Sequence, residues 1–406
     1  MRNWPRSRIL LAAALTVLAA FLAWRFLKPM NIFVVSEAFE RPVDTRGMSP
    51  TLGTLRAEEC GACHADEYRD WKTSIHARAW TDPYYQVDWV FDGRQQLCNN
   101  CHIPLDRQQE ARVVGFRDRD KSDPVLAPNA EFDPVLQQEG VTCAGCHLRE
   151  GRILGPRGSP NAPHPVEKFS DPNEMCLRCH VVQGERWDTF YRMPPCGTVA
   201  EIAAGQGGLE GRSGEYSVRN PAEVGCVQCH MPAVVSPSGA GSATPLVRRH
   251  TWRGGHDPET VRSALTVSLS DSVASGGGRI AELVLTNTGA AHFLPTGTPD
   301  RHLTVRLRAI DAGGRVLRET TDTLERSILW RPFIVDLRDT RLARGAPRRY
   351  ALDVPADAQA IEAEVSYHLL AESRRKRIGY EPAEPISYSV FKQRRSIGAG
   401  ERPLKP

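Results

Sequence analysis

The sequence predicts a multidomain fold: an N-terminal membrane helix, a domain of short α-helices and loops, and an antiparallel β-sandwich. Three observations predict it. An uncharged apolar run extends from Ile9 to Trp24, five copies of Cys-x-x-Cys-His fall between residues 60 and 230, and apolar–polar alternation begins near residue 264. The boundaries read from these changes are 1–28 for an anchor or signal segment, 29–57 for a linker, 58–258 for the motif-bearing domain, 259–395 for the β-sandwich and 396–406 for a tail.

Arg2, Arg6 and Arg8 precede the apolar run, and Arg25 and Lys28 follow it. A basic start before an apolar stretch describes a signal peptide or a membrane anchor. The run is somewhat short of the roughly 20 residues of a full span, but Phe26 and Leu27 extend it if Arg25 snorkels. Small residues between Ala19 and Ala23 make a poor cleavage site, so an uncleaved anchor is the favoured reading. The heavier positive charge before the helix puts the rest of the chain across the membrane. Pro29, Pro42, Gly47, Pro50 and Gly53 then break any periodicity, as a linker does.

Ten of the eleven cysteines belong to the motifs Cys60-Gly-Ala-Cys63-His64, Cys98-Asn-Asn-Cys101-His102, Cys143-Ala-Gly-Cys146-His147, Cys176-Leu-Arg-Cys179-His180 and Cys226-Val-Gln-Cys229-His230. This pattern reads as covalent attachment of c-type haem. Two thiols three positions apart reach the two vinyl groups on one porphyrin edge, and the adjacent histidine lies where it can bind the iron from the proximal side. Zinc ribbons use pairs of Cys-x-x-Cys but do not require a histidine after each. The sequence therefore calls for five haem c groups, numbered here as sites 1 to 5 in chain order. So many groups in so few residues replace the usual apolar core, which fits a chain with 33 Gly and 30 Pro. Haem attachment in bacteria is periplasmic, so the expected address is the periplasmic face of the inner membrane. Secretion or the cell surface is the alternative after cleavage.

A six-coordinate iron needs a second ligand. Seven histidines remain, and His76, His164, His250, His256 and His292 are the expected distal set, because they fall in short helices and loops near the motifs or, for His292, in a turn between strands. His302 and His368 lie on predicted strands and are read as structural. Met175, Met193 and Met231 are the competing ligands; a methionine would raise the potential of its haem. Cys196 is left over, and its readings are burial, pairing between chains or iron ligation.

Beyond residue 260, Ala264–Ser270, Ile280–Thr286, Leu303–Ala309, Tyr350–Val354 and Ile361–Tyr367 alternate apolar and polar residues between turn clusters, the pattern of antiparallel strands. Several at short intervals suggest a sandwich. The net charge of +4 is modest and no recognition motif accompanies it, which excludes a nucleic-acid partner. Arginine greatly outnumbers lysine; it suits bidentate pairing with carboxylates, propionates included, though a GC-rich genome gives the same bias. The clusters Arg348-Arg349 and Arg374-Arg375-Lys376-Arg377 are read as a solvated face, with docking of an acidic redox partner as the alternative.

At these residues the chain resembles the family of multihaem cytochromes related to the tetrahaem electron carrier of ammonia oxidisers. The resemblance rests on Cys60-Gly-Ala-Cys-His64 followed by Tyr68, Trp71, Ser74 and His76, and on Gly140-Val-Thr-Cys-Ala-Gly-Cys-His147 leading to His164-Pro165. It continues from Cys229-His-Met-Pro232 through Gly254-Gly-His-Asp257 to Leu294-Pro-Thr-Gly297, spanning roughly residues 58–310. It implies distal ligation by His76, His164 and His256, a haem-facing loop in an appended C-terminal β domain, and electron transfer through packed haems. Cys196 departs from it, standing where relatives carry a Glu-Trp pair.

Electron carriage through mainly bis-histidine haems, with no substrate at any iron, is thus the first functional expectation. Its partners are redox proteins, with the membrane held by the N-terminal segment and a homo-oligomer as a further option. A reductase of a small nitrogen or sulfur compound, with one open iron, is the alternative. Pentahaem nitrite reductases carry a lysine in one attachment motif, whereas all five here end in histidine. A membrane quinol dehydrogenase is the second alternative, disfavoured by the long linker before site 1. No catalytic residue is assigned.

Overall fold

The computed structural model describes residues 6–27, 40–117, 123–159, 163–180, 189–190, 193, 196–205, 225–235, 246–274 and 277–397. Most of the first half of the linker and most of the tail lie outside the described residues. Helix α1, Arg6–Leu27, is 22 residues long, so it reaches about 33 Å. With a hydropathy of 2.1 it is the one helix among the described residues long and apolar enough to cross a membrane. Its far end touches the C-terminal region, where Arg331 Nη1 donates to the Phe26 carbonyl at 2.8 Å.

The next nine helices are short: α2 Ala57–Gly61, α3 Ala65–Lys72, α4 Pro83–Phe91, α5 Gln96–His102, α6 Pro134–Gln137, α7 Cys143–His147, α8 Glu174–His180, α9 Thr198–Gly205 and α10 Cys226–His230. Four of them carry a whole or nearly whole attachment motif, and α2 carries Cys60 with His64 just beyond it. Local chemistry sets several starts. Asp82 accepts from the Tyr84 N–H ahead of Pro83, and Asp133 accepts from Val135 and Leu136 ahead of Pro134; an acidic N-cap with proline at the first helical position satisfies donors that the helix cannot. Apolar burial here is thin, with one cluster formed by Val43, Leu55, Leu105, Leu136, Ala144 and Leu148. Small sheets also occur where only helices and loops were expected, for example Ala111–Phe116 against Pro124–Pro128.

After α11, Pro258–Ala264, the chain builds strands β1 Leu265–Val273, β2 Arg279–Asn287, β3 His302–Ile310, β4 Val316–Leu324, β5 Arg348–Val354, β6 Ala360–His368 and β7 Ser387–Ser396, with α12, Glu372–Ile378, between the last two. They form two antiparallel sheets, β5-β2-β1 and β4-β3-β6-β7. Alternate residues of both, among them Leu283, Leu285, Leu303, Leu307, Ile361 and Val365, enter a single shared core. The five strands expected from alternation lie in β1, β2, β3, β5 and β6. The pattern missed β4 and β7, whose many Thr, Asp, Lys and Arg residues hide the alternation, and the short strands Arg326–Leu329 and Ile334–Asp339; charge on an edge strand discourages pairing with other chains.

Several contacts join the two halves. Thr189–Phe190 pairs in parallel with Ile334–Val335. Arg341, buried against α9, binds Glu201 at 2.6 Å and Asp339 at 2.8 Å. Tyr388 Oη donates to the Gly255 carbonyl at 2.5 Å. Arg374 of α12 holds Asp88 at 2.5 Å and Asp92 at 3.1 Å, at the end of α4. Arg374 therefore differs from the expected solvated face: it is 15% exposed and engaged within the chain, because α12 lies on α4. Arg349, by contrast, is exposed and pairs with Glu282.

Candidate haem-binding site

A continuous cavity of 3730 Å³ runs through the motif-bearing half, lined by all ten motif cysteines and by ten histidines. That is several times the roughly 300–1,000 Å³ of an ordinary ligand pocket. Histidines face one another across it in four pairs. His64 and His164 have ring centroids 6.4 Å apart, His180 and His76 6.4 Å, His147 and His250 6.3 Å, and His230 and His292 6.3 Å. Metal–nitrogen bonds of about 2 Å on each side, plus about 1 Å from each nitrogen to its ring centre, require a separation of about 6 Å. The residues present thus fit an iron between each pair.

The fifth expected pairing does not form. His102 donates from Nδ1 to the Ala79 carbonyl at 2.7 Å and stacks on Tyr85, ring centroids 3.7 Å apart. No second histidine is in ring contact with it among the described residues. His256 lines the cavity, but its Nε2 accepts from Arg301 at 3.4 Å. Cys196 is the other sulfur in this region; its thiol interacts electrostatically with Cys98 and Tyr84, and its backbone takes φ +60°. Met175 and Met231 also line the cavity, whereas Met193 is buried beside Ala200 and Phe293. His302 and His368 are directly paired strand residues whose rings stack 4.3 Å apart, outside the cavity lining.

Backbone carbonyls orient most of the rings. The Nδ1 atoms of His147, His230, His250 and His292 each lie 2.8 Å from a carbonyl oxygen, of Leu154, Arg253, Arg248 and Phe293. Such bonds fix the tautomer, leave Nε2 for a metal and raise the basicity of the ligand. The Nδ1 atoms of His76 and His164 are buried with no hydrogen-bond partner among the described residues. Burial pushes the imidazole of His76 down to about 3 and those of His102 and His292 to about 4. It also lowers His147, His180 and His250. These rings are therefore neutral at pH 7, the form that binds metals.

Two local features place distal histidines. His76 opens a short 3-10 turn after α3, and Gly140, at φ +61°, packs so closely that a Cβ would lie 2.7 Å from the His76 carbonyl. His250 is held from below by Asp70, which accepts from its backbone N–H at 3.0 Å and from Arg249 Nε at 2.6 Å. Sequence reasoning missed Asp70, Tyr85 and Trp252. The last packs edge-on against His76 and His250, with centroids 5.0 and 5.1 Å away.

The motif cysteines also reveal how the sites abut. The thiols of Cys60 and Cys143, of Cys101 and Cys179, and of Cys176 and Cys226 lie close enough to perturb each other's ionisation. Site 1 therefore adjoins site 3, and site 4 adjoins both site 2 and site 5. Cys146 interacts electrostatically with Cys179, which brings sites 3 and 4 together.

No family model matches the chain, and no curated protein matches it. Among solved structures it is similar to a penta-haem cytochrome c552 from Thermochromatium tepidum, at 21% identity and TM-score 0.59, covering 84% of this chain and 98% of that one. A protein described as ApaA from Bordetella pertussis aligns with 34% of the chain at 14% identity and a TM-score of only 0.19, which carries no argument. The chain shares the fold of the penta-haem cytochrome over most of its length.

Proposed function

We propose that the chain is a pentahaem c-type cytochrome that relays electrons on the periplasmic face of the bacterial inner membrane, anchored by α1. The observation that carries this reading is the set of four histidine pairs at 6.3–6.4 Å, each joining one motif histidine to one from elsewhere in the chain. The haems, attached through the ten motif cysteines, would supply one-electron chemistry.

The chain's own residues do the rest. His64 with His164, His147 with His250, His180 with His76 and His230 with His292 would hold four of the irons, leaving no place for a substrate at those four. The carbonyls of Leu154, Arg248, Arg253 and Phe293 hold the rings in one tautomer. The thiol contacts would make neighbours of the haems at sites 1 and 3, at sites 3 and 4, and at site 4 with sites 2 and 5. Residues 58–258 carry the relay in this reading. The β-sandwich of 259–395 supplies His292, and redox proteins are the partners at either end.

A second reading is favoured by one observation. Among the described residues His102 has no histidine opposite it, so site 2 is where an open iron would stand, and a small nitrogen or sulfur compound would be reduced there if anywhere. Both readings are tested by electron paramagnetic resonance of the purified holoprotein together with its haem content. Five haems per chain are expected from the five motifs, with four low-spin bis-histidine signals from the four pairs. Fewer such signals would overturn the relay. A high-spin fifth signal that shifts with nitrite or hydroxylamine would favour the reductase over the pure carrier.

A further inference from the structure

The six residues Arg248–Arg253 touch the ligands of three sites. The Arg248 carbonyl takes the Nδ1 of His250, and the Arg253 carbonyl takes the Nδ1 of His230, both at 2.8 Å. Between them stands Trp252, whose indole meets His76 at 5.0 Å and His250 at 5.1 Å, edge-on to both. Its backbone has φ +39°, a conformation that a bulky L-residue adopts only when its surroundings impose it, and one that tends to mark functional positions. The Nδ1 of His76, on a ring packed against this indole, is buried with no hydrogen-bond partner among the described residues. An indole is a donor only and has no lone pair to offer that N–H.

A hydrogen bond from Nδ1–H to a carbonyl makes an imidazole more basic. It then favours the ferric state and lowers the potential, one of the levers by which a protein tunes a haem. Site 3 has this bond on both ligands, through Leu154 and Arg248. Site 5 also has it on both, through Arg253 and Phe293. Site 4 lacks it at His76. We propose that Trp252 is a positioning residue that denies His76 an acceptor, and so makes site 4 the higher-potential junction into which sites 3 and 5 deliver electrons. Transfer from either neighbour oxidises one ferrous iron and reduces one ferric iron, with no bond made or broken and no proton required.

This inference rests on the bis-histidine relay. Its test is a redox titration of the full-length holoprotein followed by electron paramagnetic resonance. The site 4 signal is identified as the one lost in His76→Ala. In the unaltered protein, site 4 is expected to reduce before sites 3 and 5. Trp252→Leu removes the ring and opens room for water at the His76 Nδ1, so the site 4 midpoint falls and the signals of sites 3 and 4 move. Those of sites 1 and 5 stay in place. Trp252→Phe keeps an aromatic edge in the gap and returns both signals towards their original positions.

The inference is overturned if site 4 reduces together with or after sites 3 and 5. It is equally overturned if Trp252→Leu, with five haems still attached, shifts no signal. A protein without four low-spin bis-histidine signals fails earlier, at the relay itself.

Discussion

Asp70 illustrates how one buried side chain supports a site it never touches. Its side chain is 8% exposed and receives both the Arg249 guanidinium and the His250 N–H. Burial alone would raise this carboxyl, but those two donors hold it below the ordinary aspartate value. A depressed folded value means that the contribution is present above the unfolded pKa, near 4, and is lost as pH falls through the lower folded value. Asp70→Asn should therefore cost about 1–3 kcal/mol in urea denaturation at neutral pH. The lower half is expected because Arg249 is 48% exposed and screened by water. The difference between variant and unaltered protein should close below about pH 4. Gly140 makes a second residue-scale case: Gly140→Ala would strain a φ of +61° and press on the His76 carbonyl, and it should perturb the site 4 spectrum more than any other.

At the scale of elements, the strands were legible where one face meets the core and the other meets water, as in β2, where Ala281, Leu283 and Leu285 are buried in turn. The strands β4 and β7 were not, since polar and charged residues occupy positions on both of their faces. The helix around each motif was legible because attachment chemistry dictates it. What joins the elements was not. The basic run of α12 reads in isolation as a solvated face, and only the fold brings Arg374 to Asp88 and Asp92. The buried pair of Arg341 with Glu201, 4% and 2% exposed, likewise spans 140 residues of sequence. Arg341→Ala would leave Glu201 buried without its cation, so a loss of about 3–5 kcal/mol is expected in thermal or denaturant unfolding. Leu307→Ala, at the centre of the shared core, should cost about 2–5 kcal/mol without moving any haem band.

For the molecule as a whole, the candidate site was half legible. Residue types and spacing name the cysteines and the motif histidines, and the supply of further histidines names candidates for the opposite faces. Sequence cannot say which candidate serves which site. His76 follows the first motif closely, yet it faces His180, while His164 travels back to His64. Such pairings are long-range geometry, fixed only when the elements pack. His292 extends the point across the domain junction, since the β region contributes the ring that faces His230. His292→Ala should abolish one low-spin signal while the sheets remain folded by circular dichroism.

The contacts between cysteines of different motifs bear on how the molecule is made. Cys60 beside Cys143, Cys101 beside Cys179 and Cys176 beside Cys226 place six of the ten attachment thiols next to a wrong partner in the folded chain. In an oxidising compartment, a polypeptide that compacted first would lock these thiols into crossed disulfides and close its own sites. If the proposed haems are attached, each motif is expected to be loaded while still extended, with the cofactors then serving as the template on which the chain collapses.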